Sequence, residues 1–444
     1  VKVAVIGAGI AGLTCARELH QAGVDVQVFE RNPTVGGRMS TRTRDGLGFD
    51  IGANFLIRAY RGLGALAEEL GVELHKTSPA SHFFYRDGRP CRMRLRSIGD
   101  IFRMEGLGPL SRLRLLAFVL KVRRSYAGLD FFDLGAAPDA LNREDAYTYA
   151  RRALGPEIAD YIVDSFNSCM MFSRSSESSA AGFLSLFSMK ANPAYDFSIL
   201  HATGGMSAIP EALARTLVVH STCPVLALEP HGAGWQLKAE KASGVFDRVV
   251  LAVTPKAALA MLRNGAERHR RLLAETCYAS TINVSFRVPW PTLGDSHCYY
   301  VPYVENRTIS EFTNESLKVA ETAHEGRCLV NVGLHEEAAL RLMSEPDGAI
   351  FDIVKSELLK LNTNLRAVAD QVEAYDLQRW AEALPKYDCG HVARVKAFLR
   401  EGQGGQGLYL CGDYMNAPWT EGASRSGLKA ARQLLREMAQ RTDN

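Results

Sequence analysis

The 444-residue chain is 47% hydrophobic and 23% charged, which is globular composition for about two or three domains and excludes a disordered or fibrous polymer. Lys+Arg 52 against Asp+Glu 49 leaves a formal charge of +3, too near balance for the basic face that phosphate-backbone binding needs, so no nucleic acid partner is expected. The longest uninterrupted apolar run, Leu115 to Leu120, falls far short of the ~18 residues of a membrane span.

Val3 to Ile6 is an apolar run ending in Gly7-Ala8-Gly9-Ile10-Ala11-Gly12, followed by a helical pattern from Leu13 to Ala22 and a second strand, Val24 to Glu30. The pattern predicts a β-α-β dinucleotide-binding unit. Gly7 serves the tight turn, Gly9 lets backbone approach a pyrophosphate, and Gly12 lets the helix pack closely on the strand. The helix N-terminus, with Ala11 in its first turn, faces the phosphates. Glu30, with Arg31 beside it, closes the second strand, where a carboxylate accepts hydrogen bonds from an adenosine ribose. Because Val1 to Ile6 already reads as a buried strand, no room for a cleavable leader is expected. Gly36-Gly37-Arg38-Met39 and Gly48 to Asn54 follow. The paired glycines let backbone pass close to a second phosphate or a flat ring, and Arg38 can neutralise pyrophosphate. Gly52, Ala53 and Asn54 count with the same cofactor-binding set.

Residues from about 82 to 200 are mostly helical in period, including Arg112 to Ser125 and Asn142 to Phe166. Arg112 to Arg124 is basic and apolar at once. It suits either a helix covering a cavity or peripheral contact with an anionic membrane surface. Three strands, Cys223 to Leu228, Trp235 to Glu240 and Phe246 to Val253, separated by 230–234 and by Lys241 to Gly244, read as a β-meander. From about 262 to 392 the strands Thr281 to Val288, Cys298 to Val304, Arg307 to Phe312, Cys328 to Leu334 and Gln371 to Leu377 surround a helix at Gly348 to Leu361. The C-terminal stretch repeats the opening theme: Leu408 to Cys411 as a strand, Gly412-Asp413, and a helical pattern from Glu421 to Met438. The expected fold class is therefore α/β. A Rossmann-like dinucleotide-binding domain with a β-meander (1–81, 201–261, 393–444) is interrupted by a mixed α+β substrate domain, helical over 82–200 and sheet-plus-helix over 262–392.

The nine cysteines are scattered and include no C-x-x-C pair, so neither a disulfide framework nor a zinc knuckle is suggested, and a reducing cytoplasm is expected. No Ser-His-Asp constellation, H-E-x-x-H or Cys/His cluster offers hydrolase or metal chemistry, and no metal is expected.

Val5 to Leu13, Glu30, Gly36 to Arg38, the Gly204-Gly205-Met206 turn, Gly412-Asp413 and Glu421-Gly422-Ala423, in this order, resemble the flavin-containing amine oxidase and protoporphyrinogen oxidase superfamily along essentially the whole chain. The resemblance implies FAD. Gly7, Gly9 and Gly12 would lie under the pyrophosphate, Glu30 on the adenosine ribose and Arg38 on the pyrophosphate or ring. Val225 would face adenine, Asp413 would hold ribityl or phosphate groups, and Glu421 to Ser424 would sit at the pyrimidine edge of the flavin. A helix N-terminus there stabilises the negative charge of a reduced flavin. Cys411, inside a strand, is poorly placed for a flavin thioether, so a noncovalent cofactor is expected.

The branch is read from further segments. Arg379-Trp380 through Tyr387 to Gly390-His391 is similar to a segment of protoporphyrinogen oxidases. Glu157 to Ser179 resembles the helical substrate region those enzymes share with phytoene desaturases, whereas Asp413 to Thr420 departs from the protoporphyrinogen oxidase ending. Trp419 stands where amine oxidases place one wall of an aromatic cage, or else it is a packed loop residue. Thr281 occupies the aligned position of the amine oxidases' lysine. Trp419, Tyr387 and His391 are the candidates for the reacting end of the site, with Tyr299, Tyr300 and Tyr303 lining a pocket or packing a sheet. The expected activity is an FAD-dependent oxidase removing hydride from a C–N or C–C bond of a small, cyclic, hydrophobic substrate. Dioxygen is the expected acceptor, giving hydrogen peroxide, and a quinone is the alternative. The rival readings are a phytoene desaturase-like enzyme and a flavin-dependent isomerase without net redox change.

Overall fold

The structure, a computed structural model, describes residues 1–77, 81–93, 98–294, 296–318 and 326–442. Its central sheet has five parallel strands in the spatial order Val218–His220, Asp25–Phe29, Lys2–Ile6, Arg248–Leu251, Leu408–Leu410. Parallel strands bury both faces, which is why these segments read as unbroken apolar runs. Val3 and Val5 face a core with Leu13, Leu19, Val26 and Val28. Ala4 and Ile6 face a second core with Phe29, Val249 and Leu251. Each fully buried valine or leucine contributes about 1.5–3 kcal/mol. The first helix, Ile10–Gln21, lies beside the C-terminal helix Trp419–Thr442. A Cβ on Gly427 would collide with the carbonyl of Ala11, so the two backbones meet without an intervening side chain.

Element boundaries differ from the periodicity reading where backbone geometry decides them. The first helix starts at Ile10 rather than Leu13, because Gly9 is already its extended N-cap residue. The strand expected over 246–253 is two strands: Ser243–Phe246 closes the meander on Gly234–Ala239, and Arg248–Leu251 joins the parallel sheet. The handover is at Asp247, whose N–H donates to Lys2 O at 2.9 Å. Part of the stretch from 82 expected to be helical forms the strands Ser81–Arg86 and Arg89–Met93.

These two strands complete a seven-stranded sheet in the order Glu373–Pro385, Tyr278–Pro289, Arg327–Leu334, Ile309–Asn314, Ser296–Tyr300, Ser81–Arg86, Arg89–Met93. The pairing of Ser296–Tyr300 with Ser81–Arg86 is parallel, and its neighbours are antiparallel. A helical layer follows. Asp145 caps Ala146–Leu154 by accepting from Thr148 N–H at 2.8 Å, and Gly155, in the left-handed region, ends that helix before Pro156. The chain resumes through a π turn at Ala159–Asp164 into Ser165–Met170, so the single helix expected over 142–166 is interrupted. Pro109–Ser125 and Ala180–Ala191 pack together through Leu115, Phe118 and Leu184. Among the described residues, no helix is long and apolar enough to cross a membrane.

Candidate functional site

The glycine-rich turn is built as a cradle. Gly7 has φ +104°, and a Cβ there would sit 2.7 Å from Ala252 O. A Cβ on Gly12 would strike the carbonyl of Gly7, so the helix can start this close to the strand only without one. Gly36 N–H donates to Ala8 O at 2.8 Å, tying the second glycine turn, with Gly37, to the first. The buried Glu30 carboxylate accepts from Ala8 N–H at 2.9 Å, and from Asn32 N–H and Nδ2 at 2.9 and 2.8 Å. Oε1 takes both Asn32 donors, and Oε2, which takes only Ala8 N–H, retains a lone pair for a further donor.

Arg38 and Asp413 lie far apart in sequence and meet as a bidentate pair, Nη1–Oδ2 at 2.6 Å and Nη2–Oδ1 at 3.1 Å. Arg38 also donates to Ala383 O at 2.8 Å. Tyr278 OH donates to the same carboxylate, and so does Tyr414 N–H at 3.2 Å. Burial disfavours the Arg38 charge, but Asp413 and Tyr278 more than offset it, and the guanidinium pKa is raised. Burial and the Asp413 charge drive the Tyr278 phenol well above its usual range, so it remains a donor. The pair holds the Gly412 turn, the Arg38 turn and the seven-stranded sheet in one register.

A cavity of about 220 Å³ runs from these turns to the seven-stranded sheet. Gly9, Ala11, Gly36, Arg38, Gly52, Ala53, Asn54, Gly412, Asp413 and Ala423 line one part, and Trp380, Tyr300 and Trp419 line another. Trp380 is fixed by Nε1–H donation to Ile51 O at 2.8 Å. Trp419, at φ +71°, donates Nε1–H to Met170 O at 3.0 Å and packs on Phe131 with centroids 4.8 Å apart. It is therefore both a packed residue and a cavity wall. Thr281 donates to Leu334 O at 3.0 Å, and no lysine lines this cavity among the described residues.

Other candidates have different surroundings. Glu30, Arg31 and Val225 lie outside the cavity walls; Arg31 is exposed and Val225 starts the first meander strand. Glu421 turns away from the cavity: its fully buried carboxylate accepts from Gly62 and Leu63 N–H at 2.9 and 2.8 Å and from Arg425 Nε at 2.8 Å. Gly422 packs against Ala417, where a Cβ would collide. His391 lies outside this cavity's walls; its Nε2–H donates to Tyr414 O at 2.8 Å, and burial lowers its pKa so that it stays neutral. Tyr387, at φ +47°, donates to Asp413 O and meets the His391 ring edge-on at 4.7 Å. These two brace the Gly412–Asp413 turn from behind, because their polar atoms are spent on its carbonyls.

A second cavity of about 120 Å³ lies in the helical layer, lined largely by apolar side chains such as Leu115, Ile158, Phe183 and Leu186, with Tyr387 at one wall. Tyr300 lines both cavities. Its neighbours in sequence do not: Tyr299 stacks on Phe312 at 4.4 Å inside the sheet, and Tyr303 lies under the Arg174 guanidinium at 3.8 Å.

The sequence reading missed the polar wall of the first cavity, made by Asn283, His82, His297, Cys169, Glu311 and Thr313. Burial lowers His297 to about 4, so it is neutral. Burial raises the Glu311 carboxyl to about 7. The only sequence signal was alternation, which sets Glu311 and Thr313 on the strand face opposite Phe312.

A parallel sheet carrying two interlocked glycine turns, opening on a cavity under a second sheet, is the architecture of a cofactor-binding enzyme. The family model described as flavin containing amine oxidoreductase matches residues 10–435, and the chain belongs to that family, a class of flavin-dependent oxidoreductases. Protoporphyrinogen oxidase 2, chloroplastic/mitochondrial, from Arabidopsis thaliana is 30% identical over 170 residues, 37% of this chain and 31% of the plant protein. The 4,4'-diapolycopene oxygenase of a Methylomonas species is 37% identical over 93 residues, 20% of this chain and 18% of that protein. These matches thus span about a third or less of the curated relatives' length. Cyclohexylamine oxidase from Brevibacterium oxydans superposes with a TM-score of 0.77 at 19% identity, over 99% of both chains, a likeness of fold.

Proposed function

We propose that this protein is an FAD-dependent oxidase that removes hydride from a C–N or C–C bond of a small, cyclic, hydrophobic substrate, with dioxygen as acceptor and hydrogen peroxide as product. Its substrate class is protoporphyrinogen-like or that of a specialised amine- or imine-forming oxidase. The observation that carries this reading is the continuity of one cavity from the glycine turns to the aromatic wall of Trp380, Tyr300 and Trp419. The residues fit a noncovalent FAD. Asn54 Oδ1, at the cavity wall, is buried without a partner and calls for a donor from a bound group. Gly9 and Gly36 leave backbone bare toward the same space. When bound, FAD supplies the hydride acceptor. Arg38 offsets phosphate charge, and Trp419 and Trp380 orient a flat substrate.

A second reading, a polyene desaturase using a quinone, is favoured by one surface. The helix Pro109–Ser125 leaves Leu110, Leu113 and Leu120 exposed at 58%, 58% and 52%, beside exposed Arg114, Lys121 and Arg124. In our reading this face gives a cytoplasmic protein peripheral contact with an anionic bilayer. Sedimentation with phosphatidylserine vesicles, lost in Leu113→Glu/Leu120→Glu, tests that contact; equal recovery of the variant with the vesicles refutes it.

The deciding experiment mixes the purified yellow protein anaerobically with a porphyrinogen and, separately, with small secondary amines, and follows the flavin band. Bleaching by either class supports the oxidase and assigns the substrate type. A flavin that stays oxidised with both refutes the reading.

A further inference from the structure

Glu311 stands on the strand Ile309–Asn314, opposite Tyr300 on one side and Gly333 on the other. A Cβ at Gly333 would collide with Glu311 Oε1, so the missing side chain makes the space in which the carboxyl lies. Oε2 is sealed from solvent and has no hydrogen-bond partner. No described lysine or arginine is within ion-pair distance of it, in contrast to Glu315, which is bonded to Lys318. The groups around it are the Cys169 thiol from the helix Ser165–Met170, Cys298 and Tyr300 from the neighbouring strand, Ser310 beside it, and His297 and His82 on the same wall. Burial, with the Glu315 charge adding to it, raises the carboxyl from 4.5 to about 7 against the opposing influence of the neighbouring Cys169 and Ser310. A group so placed holds and releases a proton near neutral pH.

We propose that Glu311 is the proton acceptor of this site, taking the proton a substrate loses as its hydride departs. The proposal rests on the oxidase reading above. In a fragment H–C–X–H, with X nitrogen or carbon, the C–H bond breaks and its electron pair leaves as hydride for the flavin. The X–H bond breaks, its pair becomes the second C–X bond, and the proton converts the Glu311 carboxylate to the acid. The substrate is oxidised by two electrons, the flavin is reduced by two, and Glu311 returns its proton to solvent when the acceptor reoxidises the flavin.

The test uses the holoenzyme and two readouts. Infrared titration of the oxidised protein should show a carboxylic-acid band with a midpoint near about 7, absent in Glu311→Gln. Gly333→Ala, which crowds the carboxyl out of its space, should shift that midpoint downward. Anaerobic bleaching by cyclohexylamine and by a porphyrinogen should speed up as pH rises through the same midpoint. Glu311→Gln should slow it about a hundredfold or more and remove that pH limb, while Glu311→Asp retains part of both. Flavin retention and circular dichroism report folding of each variant. A wild type with no such band, a band that survives in Glu311→Gln, or Glu311→Gln bleaching at the wild-type rate with the same pH limb overturns the assignment. Should neither probe bleach the wild-type flavin, the oxidase reading falls and with it the acceptor role. The infrared band then decides whether Glu311 is a proton-binding group.

Discussion

Asp413→Asn changes one charge where the two sheets meet and little of the shape. In the native site the carboxylate accepts two bonds from Arg38, one from Tyr278 and one from Tyr414 N–H, with its side chain 4% exposed. The amide accepts through one oxygen only, and its NH₂ faces the guanidinium donors. Arg38, still bonded to Ala383 O and with its side chain 31% exposed toward the cavity, loses the counter-charge that this pair supplies. Breaking such a pair costs about 3–5 kcal/mol. For a unit of about 150–250 residues, ~2–4 °C per kcal/mol converts this to a fall of about 6–20 °C in the unfolding midpoint. Release of bound flavin, read by its fluorescence on heating, is the assay. Arg38→Met in the Asp413→Asn background removes the stranded charge and should recover more than half the loss. A midpoint within about 1 °C of wild type for Asp413→Asn, or no recovery in the double variant, refutes the account.

Three other outcomes are expected. Glu30→Ala frees Ala8 N–H and Asn32, and the flavin should be lost on dialysis; full occupancy refutes the role. Trp419→Ala should slow flavin reduction strongly with cofactor retained, and unchanged reduction kinetics would leave the residue a packing role alone. The folded pKa of Glu311, raised from 4.5 to about 7, means the folded chain holds that proton more tightly than the unfolded one. Its stabilisation, about 3 kcal/mol, is complete below about pH 4.5 and lost as pH rises through about 7. The difference in denaturation midpoint between wild type and Glu311→Gln should slope across that window, and a flat difference refutes it.

The nucleotide-binding half was legible because its signals are local: an apolar strand, a glycine turn and a helix face within 30 residues. The seven-stranded sheet was legible strand by strand but not in its order. The pairing of Phe83 with Tyr299 joins segments more than 200 residues apart, and nothing in the residues from 81 to 93 marks a parallel partner. His391 and Tyr387 were recognisable as a motif, yet their bonds to Asp413 and Tyr414 carbonyls exist only once the turn is folded against them. Glu421 shows the same limit. Its position at a helix start was readable, whereas its engagement with Gly62 and Leu63 required the helix Arg61–Glu69 to arrive. Glu311 went unnoticed because a glutamate in an alternating strand ordinarily faces water, and only the helical layer over the sheet removes it from solvent.

The double exposure of Tyr300 to two chambers gives a single ring control over molecular size. With the phenol in place, the helical chamber and the chamber at the glycine turns are separate rooms sharing a wall. A small residue at 300 is expected to thin that wall, while the Arg38–Asp413 pair, made by other residues, stays as it is. The wall between the chambers and the pairing of the glycine turns are thereby carried by different residues of this fold, so the one can be altered without the other.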